Sequence, residues 1–65
     1  MVTLFDVIEV RMDTNVVRVL DQGKTEPNAD AIVNMAVLRR GVEESFFATC
    51  PAGRYQDGDT YVTEP

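Results

Sequence analysis

Cys50 is the only cysteine in the chain and histidine does not occur in it. Together these two facts constrain the fold more than any motif does. A chain of 65 residues buries only about 60% of the surface that its unfolded form exposes. Domains that small usually draw on disulfides, a structural metal, self-association or dense packing. One cysteine makes no internal bridge, and a lone thiol among scattered carboxylates is not a zinc site, which takes four Cys or His ligands. Packing and self-association remain, and neither a metal nor a cofactor is expected.

The chain then has to build its core from local pattern. Residues 3–12, TLFDVIEVRM, are rich in β-branched and aromatic types. From Ile8 they alternate strictly, with Ile8, Val10 and Met12 on one face and Glu9, Arg11 and Asp13 on the other, as in a half-buried strand. Asp13, Thr14 and Asn15 carry turn chemistry, and Asn tolerates a positive φ. Val16 to Leu20 reads as the returning strand of a β-hairpin. Phe5 and Val7 fall on the face opposite Ile8 and Val10, so the start of the first strand either leaves the sheet or covers a second apolar surface.

Asp21 to Lys24 break the alternation and Gly23 permits a turn. Thr25, with Asn28 as its rival, caps a helix that carries Glu26 and Pro27 in its first turn. The helix runs to about Arg40, with Arg39 and Arg40 at the negative end of its dipole and Gly41 as its stop. At 100° per residue, Ala29, Ile32, Met35 and Ala36 share one side, extended by Ala31 and Leu38. Asp30 and Asn34 define a narrow polar side, flanked by Val33 and Val37. That apolar arc is wider than the roughly 100° that one sheet face covers, so part of it is expected to stay uncovered in a monomer. After a Val42-Glu43-Glu44-Ser45 linker, Phe46 to Cys50 reads as a third strand stopped at Pro51. Asp57-Gly58 between Tyr55 and Tyr61 is a hairpin signal that leaves room for a short fourth strand. The expected fold is a single α+β domain over residues 1–65, order ββαβ, a small antiparallel sheet with one helix on one face.

Charge and composition narrow the partners. Six basic against eleven acidic residues leave a net charge of -5, and such a surface disfavours direct DNA or RNA binding, which depends on Lys and Arg displacing counterions. No apolar run approaches the ~18 residues of a membrane span. The N-terminus lacks the basic start and long apolar stretch of a signal peptide, since Asp6 and Glu9 interrupt it. A reduced, cytoplasmic setting is the expectation that follows.

Each motif with a chemical look has a plainer explanation. Gly23-Lys24-Thr25 before a helix suggests a phosphate loop, but the first glycine such a loop requires would fall at Arg18. Asp57, Asp59 and Glu64 hint at calcium, yet they supply too few ligands for an EF-hand-type loop. Cys50 has no histidine to activate it, and alternation through FFATC places Phe46, Ala48 and Cys50 on one side, so it reads as a buried structural residue. Glu43 and Glu44 are adjacent in sequence and form no acid/base pair. No catalytic residue is expected. Arg39 and Arg40 are the candidates for contacting an anion, although the helix dipole alone accounts for arginines there. Phe46 and Phe47 must point to opposite faces of a strand, so one of them faces away from the helix and is exposed, covered by the tail tyrosines or buried in a partner. The interface candidates are therefore Phe46, Phe47, Met35, Leu38, Tyr55 and Tyr61.

The block GKTEPNADAIVNMAVLRRGVEESFFATCPAGRYQDGD has a helix ending in RRGV, then a short aromatic strand and a PAG and DGD tail. In that layout it resembles the small uncharacterised single-domain proteins of bacterial and prophage genomes. The resemblance implies a bacterial or phage origin and brings no site residues with it. The expected function is a non-enzymatic protein–protein interaction module, homodimeric, that meets its partner through the second sheet face or an exposed strand edge. The alternative is an acidic regulator or antagonist of a nucleic-acid-binding protein.

Overall fold

A computed structural model describes residues 3–41 and 43–62. They form β1 (Phe5–Arg11), β2 (Val17–Lys24), α1 (Glu26–Arg40) and β3 (Ser45–Pro51), an α+β fold in the expected order. β1 is the centre of a three-stranded antiparallel sheet ordered β2-β1-β3. A central strand has to bury both its faces. This accounts for the start of β1, where Asp6, Val7 and Ile8 are buried in succession, whereas no two successive residues of either outer strand are buried.

The β1–β2 turn follows its sequence chemistry. Asn15 adopts a φ of 59°, its N–H donates to the Arg11 carbonyl at 2.7 Å, and the Arg11 N–H donates to the Val16 carbonyl at 3.1 Å. β2 is longer than the alternation suggested. It does not stop at Leu20 but runs to Lys24, because its register against β1 shifts twice. Val10 pairs with Val17 and Ile8 with Val19, then Val7 with Asp21 and Phe5 with Lys24. Each shift adds one residue to β2, as a β-bulge does, and an added residue breaks the period-two pattern on which strand assignment from sequence rests. Gly23, with φ 65°, takes the left-handed conformation required at the second irregularity.

α1 matches its predicted ends. Thr25 is the N-cap in an extended conformation, without a side-chain cap bond, and Gly41 closes the C-terminus at φ 73° with its N–H on the Val37 carbonyl. The helix lies over β1 and β3. Its inward stripe differs from the predicted one. Ala29 is fully buried, while Ile32, Val33 and Ala36 are half-buried, and Met35 and Leu38 remain 51% and 85% exposed. Val33, expected beside the polar side, therefore belongs to the packed face. Small Ala29 lets the helix sit low over the sheet, and the stripe turns toward it.

Among the described residues there is no fourth strand. The segment after β3 instead crosses the sheet face that the helix leaves free. Ile8, Val10, Val17 and Cys50 form the core there with Tyr55, and Phe46, Ala48, Val19 and Tyr61 pack around them. On the other face Val7 and Phe47 are buried, and Ala29 is the buried residue of the helix that covers that face. The sheet is thus covered twice, by a helix and by an irregular tail.

Candidate functional site

Four features determine which surfaces remain for a partner: a carboxylate brace, a tail, one open strand edge and one groove. The brace is Asp6. Its side chain points to the tail side of β1, opposite Cys50 in register, and the residue is only 2% exposed. The Gly23 N–H donates to Oδ1 at 3.0 Å and the Gly53 N–H donates to Oδ2 at 2.9 Å. One carboxylate thereby ties the end of β2 to the turn after β3, using charge-assisted bonds of the stronger kind. The Gly23 amide is consequently occupied, and Lys24 Nζ lies 3.5 Å from Asp21 Oδ1. Gly23-Lys24-Thr25 is a strand end, and its first amide is turned to Asp6.

The tail covers both a face and an edge. Tyr61 meets Phe46 edge-to-face at 5.4 Å between ring centroids and stacks with Tyr55 at 5.6 Å. The Tyr55 hydroxyl accepts the Val62 N–H at 3.1 Å, and the Arg54 guanidinium lies 4.5 Å above the Tyr55 ring. The tail then reaches the outer edge of β2. The Val17 N–H donates to the Asp59 carbonyl at 2.8 Å and the Gly58 N–H to the Val17 carbonyl at 2.8 Å. The Val19 N–H donates to Asp57 Oδ1 at 2.7 Å, and Val16 and Thr60 form a single bridge. Asp59 also folds back to accept the Gln56 N–H at 2.8 Å. The Asp57-Gly58-Asp59 turn is thus a plug for a strand edge. Its carboxylates are directed at backbone amides, where a cation would have needed them.

The other edge of the sheet differs. Bonds from the Met12 N–H to the Glu44 carbonyl (2.9 Å) and from the Ala52 N–H to the Leu4 carbonyl (3.1 Å) bracket the β1–β3 ladder. In that phase Phe46, Ala48 and Cys50 face β1 with their backbone groups, and Phe47 and Thr49 turn theirs outward. Among the described residues no backbone bond reaches those outward groups. Ser45 and Phe47 are each only 9% exposed and Thr49 is exposed, so the accessible stretch is centred on Thr49 and runs toward Pro51.

The groove lies between β2 and α1. Because the helix sits over β1 and β3, the helix-side surface of β2 is left with about 450 Å³ of space bordered by Arg18, Leu20, Ile32, Met35, Arg39 and Arg40. Arg40 Nη1 donates to Glu9 Oε1 at 3.2 Å, pinning the end of α1 to the central strand. Nearby, the Arg11 guanidinium bonds Asp13 at 3.3 Å and holds its carboxyl below the usual range. Arg18 and Arg39 take part in no ion pair among the described residues.

The structure divides the predicted interface residues. Phe47 and Tyr55 are buried at 9% and 5% exposure, and Phe46 and Tyr61 are half-buried against each other. These four aromatics are spent inside the protomer: Phe47 lies on the face that α1 covers, and for Phe46, Tyr55 and Tyr61 the tail supplies the cover for which a partner was the alternative. Met35 and Leu38 are exposed, with Met35 in the groove wall. Of the predicted anion contacts, Arg39 is in no ion pair among the described residues and Arg40 is tied to Glu9. Cys50 is buried, its Sγ 3.8 Å from the Asp6 carbonyl oxygen that accepts its proton. Burial first, and the nearby Asp6 second, push its thiol pKa up. Glu64 and Val42 lie outside the described residues. Among the described residues no helix is long and apolar enough to cross a membrane.

Two features escaped the sequence reading. Asp6 looked like a charge interrupting an apolar segment, and the only hint of its role was a carboxylate inside a strand that is otherwise apolar. Arg18 looked like the polar position of a hairpin, and only the placement of the helix brings it beside Arg39. Comparison with protein-family models, curated proteins and solved structures finds no match, so no family assignment follows.

Proposed function

We propose that the chain is a non-enzymatic protein–protein interaction module that pairs with a second copy of itself through the outer edge of β3. The observation that carries this reading is the asymmetry of the sheet. One edge is plugged by the tail at Val17 and Val19, and the other presents backbone groups of Phe47 and Thr49 that no bond reaches among the described residues. An unprotected edge is a template for another strand. Antiparallel pairing about a two-fold axis at Ala48 sets Phe47 opposite Thr49 of the second copy. It also brings Glu43 of one copy beside Gly53 and Arg54 of the other, acid against base. The acidic-antagonist alternative draws less support. Asp6, Asp57 and Asp59 accept backbone bonds inside the protein, and Glu9, Asp13 and Asp21 are paired with basic side chains.

About four new backbone bonds at ~1 kcal/mol each correspond to a dissociation constant near 1 mM, and the flanking charges tighten it. Light scattering or sedimentation should show monomer passing to dimer between about 0.1 and 1 mM. Thr49→Pro removes one outward N–H on an edge strand, where proline is tolerated. That variant should keep its circular dichroism and remain monomeric. A single monomer mass to about 2 mM, or unaltered dimerisation of the proline variant, would refute the reading.

A further inference from the structure

We infer that the groove between β2 and α1 is a docking site for an acidic amphipathic helix of another protein. Its apolar side chains would pack on Leu20, Ile32 and Met35, and its carboxylates would meet Arg18 and Arg39. Three independent observations lead there. Ile32, Met35, Ala36 and Arg39 recur at the i, i+3, i+4, i+7 spacing that lines one side of a helix, and all four border the groove. This stripe is about 10 Å long at 1.5 Å per residue, enough to seat roughly two turns of a second helix. Met35, half exposed, supplies the adaptable thioether surface common in grooves that accept varied apolar partners.

The second observation is charge. On a chain with a net charge of -5 and only six basic residues, three arginines gather at this groove. Arg40 is held by Glu9, while Arg18 and Arg39 are in no ion pair among the described residues. Guanidinium groups beside apolar carbon favour a partner that brings carboxylates with its hydrophobic contacts, since the bidentate fork fits a carboxylate.

The third observation selects a helix over an extended segment. The outward amides of β2 at Val17 and Val19 are already bonded to Asp59 and Asp57. Strand addition along Val17–Val19 is therefore closed, and recognition in the groove beside that segment proceeds through side chains, as it does when a helix lies in a groove. The groove is on the β2 side of the molecule and the open edge is on the β3 side, so this inference does not depend on the dimer.

The experiment uses the full chain, labelled with nitrogen-15. It is titrated with a synthetic helical peptide of about fourteen residues carrying leucines at i, i+3, i+4 and i+7 and glutamates at the end that would meet Arg18 and Arg39. The expected result is amide shifts confined to Arg18–Leu20 and Ile32–Arg40, with a dissociation constant below about 1 mM. Arg18→Glu and Arg39→Glu, both at exposed positions, should each weaken binding by about tenfold. Several results would overturn the inference. They are no shifts at about 1 mM peptide, equal binding of an isomer with lysines in place of the glutamates, shifts centred on Phe47–Pro51, or occupation of the groove by decanoate with none by the peptide. Dimerisation is read separately from the mass, so either proposal can fail alone.

Discussion

Replacing Asp6 tests the central brace of this fold. Its carboxylate accepts the Gly23 N–H at 3.0 Å and the Gly53 N–H at 2.9 Å, and it is 2% exposed. In Asp6→Asn the side chain keeps its shape and loses one acceptor, so an amide NH₂ faces one of the two backbone N–H groups. Bonds to a charged acceptor contribute about 1.5–3 kcal/mol, so the Asn variant should lose roughly 2 kcal/mol. Asp6→Ala removes both bonds at a gross cost of about 3–6 kcal/mol. The desolvation of the wild-type carboxylate opposes that loss, and water reaching the exposed Gly23 and Gly53 reduces it further. About 3 kcal/mol is the net expectation for the alanine variant. A domain of this length has a total stability of about 3–10 kcal/mol, so the alanine variant stands close to unfolding. Urea denaturation followed by circular dichroism, at a slope near 1 kcal/mol per M, should show the Asn midpoint lower by about 2 M. Hydrogen exchange should speed up at Gly23 and Gly53 before other amides. Midpoints within about 0.5 M of wild type for both variants would show that the brace is not energetic, and the argument from burial would fail.

Two further outcomes are expected. Tyr61→Ala removes the ring that contacts both Phe46 and Tyr55; from a half-buried position this should cost about 2 kcal/mol and raise binding of an apolar dye to the bared face, while Tyr61→Phe should stay within about 0.5 kcal/mol. The Cys50 thiol is raised in the folded protein by burial and by Asp6, so folding favours the protonated form, and the stability from this group is whole below the unfolded thiol pKa and is lost as pH rises toward the folded one. Alkylation by iodoacetamide at pH 8 should therefore be slow in the native protein and fast in guanidinium. Equal rates would refute the buried placement.

Local pattern carried the helix and the order of elements, and long-range pairing carried the rest. Thr25, Pro27 and Gly41 act within a few residues of themselves, and their chemistry marks helix ends wherever they stand. The same is true of Asn15 in its turn. β2 was legible only to Leu20, because the two register shifts after it answer to β1 and leave no periodic trace of their own. The destination of Asp57-Gly58-Asp59 was equally hidden. A hairpin tip and an edge plug share one turn chemistry, and only the position of Val17 and Val19 across the sheet distinguishes them. The exchange of Val33 for Met35 on the packed face has a similar cause. A helix with a wide apolar arc does not specify its own rotation, and packing on the sheet settles it, with Ala29 buried and Ile32, Val33 and Ala36 half-buried around it.

The tail also changes what a single cysteine and the absence of histidine imply. A sheet with a single helix leaves one face open, and the expectation of self-association rested on that face needing a second molecule. Phe46 and Tyr61, with Tyr55 behind them, close it within the protomer. Dimerisation through β3 is therefore not required for the core to exist. That is consistent with an interface of about four hydrogen bonds and a millimolar constant, and it separates association from folding. Mutations that block the β3 edge should change mass without changing the unfolding midpoint at dilute concentration. Mutations in the tail should do the reverse at first, and then expose Phe46 to other copies. A chain built this way has its core inside one protomer, so the dimer proposed through β3 would add to the fold and would not be a condition of it.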